Sequence, residues 1–246
     1  MNEPPNNPPD RAAPKPEPSI SGQAIRVHIP DHELLRCVGR GSYGEVWLAR
    51  NVMGTYRAVK IVYKAAFKDP HPFDRELAGI RRFEPISRSH DGFVDILQIG
   101  INETDGYFYY VMELGDDSKS VQEVDPDTYV PKTLAKEIST HGRLPAAECV
   151  QLGIALSGAL AHLHSHELVH RDVKPSNIIF VNGVPKLADI GLVADVDDAL
   201  SFVGTVGFIP PEGPNSYVSD LYSLGKVLYE ASSGNDRKLF PALPSK

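Results

Sequence analysis

His170-Arg171-Asp172-Val173-Lys174-Pro175-Ser176-Asn177, which reads HRDVKPSN, is the stretch on which the interpretation of this 246-residue chain turns. It puts a carboxylate, a lysine and an amide at fixed spacing on one short loop. A carboxylate can accept a hydroxyl proton, a cation can sit beside a moving phosphate, and an amide oxygen can help hold magnesium. Together these are the needs of phosphoryl transfer.

Around that loop the pattern is helical. Ala146 to His164 is predicted as a long helix, with Pro145 near its start and Leu152, Leu156, Leu160 and Leu163 along one face. Loops and short strands follow, then a helix from Ser219 to Ser232. Toward the amino terminus the composition favours strands: Leu34–Val38, Glu45–Ala49, Tyr56–Tyr63, Phe93–Ile101 and Tyr107–Leu114. Asp105-Gly106 is a hairpin turn signal between the last two. Phe73–Phe83 reads as a helix, with Phe73, Leu77, Ile80 and Phe83 near one face. After Gly115 the chain is polar and irregular to about residue 130. Strands first and helices later give an α+β fold with two lobes.

Residues 1 to about 24 are rich in Pro, Asn and Glu and nearly lack large apolar side chains, so they cannot bury enough surface to offset the entropy of ordering. Residues 1–30 are therefore expected to be a disordered Pro-rich tail, with PxxP-like spacings from Pro5 to Pro8 and Pro9. The net charge of −7 argues against a protein that binds nucleic acid by a basic face. No apolar run is expected to span a membrane, and the first ten residues lack a signal-peptide layout. Cys37 and Cys149 stand far apart with no ligand-like spacing. Two reduced thiols and a cytoplasmic location are the expectation.

Gly39-Arg40-Gly41-Ser42-Tyr43-Gly44-Glu45-Val46 fits G-x-G-x-x-G-x-V. The pattern also marks dinucleotide-binding folds, where it leads from a strand into a helix. Here Val46-Trp47-Leu48 reads as a second strand, so the glycines are expected to form a hairpin lid. Lys60, in Ala58-Val59-Lys60, is a lysine in an apolar strand and needs anionic partners. The phosphates of ATP would serve, together with a carboxylate on the next helix. Glu76, sixteen residues on, is the first candidate and Glu84 the second.

HRDVKPSN resembles the catalytic loop of eukaryotic-type (Hanks-type) serine/threonine protein kinases, and the other motifs fall in that family's order from residue 39 to 225. The resemblance implies a small, mainly antiparallel β lobe with one helix (31–114) and a larger, mainly helical lobe (115–246). It implies ATP- and Mg²⁺-dependent phosphorylation of Ser/Thr hydroxyls on a protein substrate. Asp172 would be the catalytic base, Lys174 would face the γ-phosphate, and Lys60 and Glu76 would form the phosphate-anchoring pair. Asn177 and Asp189 would hold metal. Asp189-Ile190-Gly191 replaces the usual D-F-G with an isoleucine. The glycine segment, Ala58, Met112 and the backbone of Glu113 and Leu114 would enclose the nucleotide, with Asp116 and Asp117 near the ribose. Arg171 would face an activation-segment phosphate. Thr205 would contact the catalytic aspartate and lysine, and Ser201 and Thr205 are the regulatory hydroxyl candidates. Asp220 would cap the catalytic-loop backbone. Lys174, two residues after Asp172, follows the serine/threonine pattern.

The family normally continues with more helices. Here Asn235–Lys246 reads as a short tail, and the Ser219 helix is apolar on more than one face. A missing C-terminal segment or a partner is expected to cover it. An alternative reading follows: a truncated, catalytically weak kinase-like module that binds nucleotide or partners.

Overall fold

The computed structural model describes residues 19–20, 23–24, 27–41, 43–119, 124–189, 194–195 and 204–242. Five strands form one antiparallel sheet: β1 (His32–Arg40), β2 (Gly44–Asn51), β3 (Tyr56–Tyr63), β4 (Ile96–Asn102) and β5 (Tyr107–Met112). Their spatial order is β1-β2-β3-β5-β4. Side chains alternate between the two faces. Tyr107, Tyr109 and Val111 join Trp47, Val59 and Ile61 in one core. Phe108 and Tyr110 join Val62 in the other, against α1 (Pro70–Ser87).

Helix α1 starts where the Asp69 carboxylate accepts from the His71 amide at 3.0 Å, with Pro70 at the first position. Phe73, Ile80 and Phe83 are buried and Leu77 is half-buried. Burying each such side chain contributes about 1.5–3 kcal/mol. Pro85 cannot donate a backbone hydrogen bond, and the helix ends two residues later.

The large lobe contains α2 (Leu134–His141), α3 (Ala146–Ser165), β6 (Leu168–Val169), β7 (Ile178–Val181), β8 (Val184–Leu187), β9 (Ala194–Asp195) and α4 (Tyr217–Ser233). By length and composition alone α3 could cross a membrane. Its Leu152, Leu156, Ala159, Leu160 and Leu163 are buried in the core shared with α1.

Four expectations need correction. Residues 27–30 are not part of a loose tail: Ile29 is 1% exposed, and the His28 amide donates to the Tyr107 hydroxyl at 3.0 Å. Most of the expected tail, residues 1–18, lies outside the described residues. Phe93 does not begin a sheet strand. It bridges Leu187, and the Val94 amide donates to Leu187 at 3.1 Å, so the large lobe takes that backbone and β4 begins at Ile96. Helix α2 was not anticipated. Thr133 caps it and Gly142, at φ 80°, closes it, but it is only eight residues long, with Leu134 buried and Ile138 half-buried one turn on. Residues 235–242 fold back on α4: Phe240 meets Tyr229 edge-on at 5.4 Å, and the Tyr229 hydroxyl donates to the Ala242 carbonyl at 2.6 Å. The second apolar face expected of α4 is present, with Val218 and Leu221 exposed.

Candidate active site

The glycine segment is a hairpin joining β1 to β2, closed by the Gly41 amide donating to Gly44 at 2.9 Å. That geometry separates it from the strand-to-helix turn of dinucleotide folds. The three glycines differ in their demands. A Cβ on Gly44 would lie 2.0 Å from the Ile61 carbonyl oxygen, so the sheet itself requires a glycine there. On Gly39 and Gly41 a Cβ would meet nothing closer than 3.6 Å. The protein's own packing leaves that side open, which suits a cradle for phosphate. Tyr43 stacks on Phe67 at 4.4 Å, the rings 9° from parallel. Ser42 lies outside the described residues. Glu45, just past the lid, is buried and accepts from the Trp47 indole at 3.1 Å and the Tyr63 hydroxyl at 3.2 Å. Arg40 reaches the other Glu45 oxygen at 3.3 Å.

Lys60 on β3 meets Glu76 of α1 at 3.5 Å and makes a direct ion pair with Asp189. Burial works against the ammonium, but Asp189 and Glu76 outweigh it and hold the Lys60 pKa well above the ordinary lysine value. Burial raises the Glu76 pKa against the pull of Lys60. Lys60 lowers that of Asp189. Glu84 pairs instead with Arg88, its neighbour on the next turn, and has no part in the cleft.

The HRDVKPSN loop makes a second cluster. Asp172 is 7% exposed. One of its oxygens accepts from Lys174 at 2.6 Å and Asn177 at 3.0 Å, and the other accepts from the Thr205 hydroxyl at 2.7 Å. Lys174 also donates to Thr205 at 2.9 Å. Thr205 is therefore a brace between these two residues, a poor site for the regulatory phosphate also considered for it, since a dianion there would face Asp172. The loop backbone is held from below: Asp220 of α4 accepts from the amides of His170 and Arg171 at 2.8 and 2.9 Å, and pairs with His164 at 2.9 Å. Arg171 and Asp189 both take left-handed backbone conformations, at φ 68° and 57°. The Ala188 amide donates to the Asn177 carbonyl at 2.8 Å, tying the strand that leads to Asp189 to the loop. That tie sets Asp189 beside the loop, so the two clusters share one cleft.

Some expected residues take other roles. The Glu113 amide already donates to Asp95 at 3.1 Å, and its carboxylate binds Lys186 of β8 at 2.6 Å. A nucleobase would therefore meet the Glu113 carbonyl rather than its N–H. Met112 is half-buried against the core. The Asp116 carboxylate holds the β7–β8 turn through the amides of Asn182 and Gly183 at 2.7 and 2.8 Å. One Asp117 oxygen accepts from Lys119 and Val130, and its other oxygen is buried without a hydrogen bond, whereas both oxygens of Asp116 are committed to the turn. Ile190, Gly191 and Ser201 lie outside the described residues. The reading of the sequence missed Glu45, Glu113–Lys186 and the His164–Asp220 pair. For Glu45 the signal was strand alternation, which turns it to the side of its buried neighbour Trp47. The other two pairs join positions 73 and 56 residues apart and left no local trace.

Lid, lysine–carboxylate pair and braced aspartate, set between a five-stranded lobe and a helical one, define the two-lobed kinase architecture. The family model for the protein kinase domain matches residues 32–241, and the chain belongs to that family. It is 33% identical over 220 residues to a probable serine/threonine-protein kinase of Clostridium perfringens, covering 82% of this chain and 29% of that protein. It is 28% identical to the serine/threonine-protein kinase PrkC of Bacillus subtilis, covering 82% of this chain and 30% of that protein. It is 32% identical to PknA of Mycobacterium tuberculosis, covering 82% and 47%. The chain thus spans less than half the length of these relatives.

Proposed function

We propose that this chain is the catalytic domain of a serine/threonine protein kinase that moves the γ-phosphate of ATP to a protein hydroxyl. The observation that carries this is the convergence of Lys60, Glu76 and Asp189 in one cleft with the Asp172–Lys174–Thr205 brace. Lys60 neutralises the nucleotide's phosphates and Glu76 holds it in place. Asp172, fixed by three donors, orients the acceptor hydroxyl and takes its proton. Lys174 stands beside that carboxylate and balances charge on the transferring group. The Asn177 amide nitrogen is committed to Asp172, leaving its oxygen for a cation, and Asp189 supplies a carboxylate. These are hard oxygen donors of the kind magnesium prefers, and the ion would neutralise phosphate charge. Such an ion would share the Asp189 carboxylate with Lys60, so the present ion pair would loosen when it binds. We place the domain in the cytoplasm, in keeping with its use of ATP and its free Cys37 and Cys149.

The test is transfer from labelled ATP to a basic protein by wild type, Asp172→Asn and Lys60→Met. Wild type is expected to transfer phosphate and both variants to lose at least about a hundred-fold, the lower range for a general base. Three equally silent proteins that still bind nucleotide would favour the weak-module alternative and sink this reading.

A further inference from the structure

Tyr110 is a buried polar residue that the proposed mechanism does not use. It is 2% exposed, and its hydroxyl has no hydrogen-bond partner. A buried hydroxyl without a partner costs about 1–3 kcal/mol. Its position is informative. Tyr110 is paired directly with Lys60 across β5 and β3. Directly opposed residues on antiparallel strands project from the same face. The Lys60 ammonium accordingly lies 5.8 Å from the centre of the Tyr110 ring. Burial keeps the phenol protonated far above its usual range, while Lys60 acts against that shift, both by its charge and by a weak contact with the phenol oxygen.

A lysine ammonium has three N–H donors. Asp189 and Glu76 account for two acceptors around Lys60, and Asp189 holds the ammonium closest. In the function proposed above, on which this inference rests, Asp189 turns to a metal and Lys60 to phosphate. The buried ammonium then needs acceptors on the protein side. We infer that Tyr110 is a positioning residue whose phenolic oxygen accepts from Lys60 once Asp189 releases it, while Glu76 keeps its own contact. In the resting arrangement the contact is weak, and the hydroxyl makes no hydrogen bond of full geometry. The preceding Tyr109 serves as an internal comparison: it faces the opposite core, and its hydroxyl accepts from Gln98 at 3.2 Å.

Tyr110→Phe removes one oxygen and leaves the ring. Calorimetric titration with a magnesium-bound, non-hydrolysable ATP analogue is expected to show affinity about ten-fold weaker than wild type, the value of one hydrogen bond to a charged group. The KM for ATP should rise in parallel with little change in kcat. The unfolding temperature without nucleotide should stay level or rise, because an unpartnered buried hydroxyl has gone. Tyr109→Phe should bind the analogue as wild type does. If wild type binds and Tyr110→Phe binds equally well, the role of Tyr110 is overturned. An equal loss in Tyr109→Phe overturns it too. Wild type failing to bind the analogue overturns the nucleotide reading itself, and this role with it.

Discussion

Asp172 is held in place by its neighbours. Three side chains donate to its carboxylate, and each has a separate reason to be there. Thr205 comes from a segment thirty-three residues downstream, so its removal tests whether that segment has to be docked. Thr205→Val is expected to lower kcat about ten-fold with the KM for ATP unchanged, since one hydrogen bond to a charged group is lost; steady-state kinetics in both substrates separates the two. Glu76 is a different case. Its folded pKa lies above that of an exposed glutamate because burial penalises the anion. The folded state therefore binds this proton more tightly than the unfolded chain. The group's contribution to stability is present at low pH, where it is protonated, and is lost as pH rises through the folded pKa. At neutral pH Glu76→Gln should leave the melting temperature level or higher. The KM for ATP should rise several-fold because Lys60 is held less well. A melting temperature well below wild type, with ATP affinity intact, would refute that assignment.

Elements are coupled here by single side chains. Asp220, at the start of α4, holds two backbone amides of the catalytic loop and His164 at the end of α3. Asp220→Ala leaves those buried N–H groups without an acceptor. Chemical denaturation should show a loss of about 2–6 kcal/mol, from about 1–3 for each of the two unmet groups. A loss under 1 kcal/mol would mean that water or a neighbour replaces the carboxylate. At the lid, the Tyr43–Phe67 stack joins the β1–β2 hairpin to the segment leading into α1, which carries Glu76. The pair is expected to act as a unit. In a double-mutant cycle, Tyr43→Ala and Phe67→Ala should each raise the KM for ATP, and the double variant should do little more than either alone. Additive effects would separate the lid from the helix.

On the scale of the molecule, residues 235–242 return to the segment that carries Thr205. Arg237 pairs with Glu230 of α4 at 3.1 Å, donates to the Val206 carbonyl at 3.3 Å and lies 4.4 Å over the Phe208 ring. It thereby pins the residues just after Thr205. Arg237→Ala should raise the KM for the protein substrate several-fold and leave that for ATP unchanged. A shift in the ATP constant alone would contradict this placement.

The sequence by itself determined the two-lobed order of elements, the hairpin lid, and which polar side chains stand at 60, 76, 172, 177 and 189. Strand alternation, the leucine stripe of α3 and the fixed spacing of HRDVKPSN are local signals, written within a few turns or one loop. Only the tertiary structure decided which carboxylate Lys60 meets first, that Thr205 braces Asp172, that the Glu113 carboxylate serves Lys186, and that Arg237 returns to Phe208. Those contacts join residues 29 to 129 positions apart. Close packing of separate elements sets them, and no periodicity along the chain encodes that.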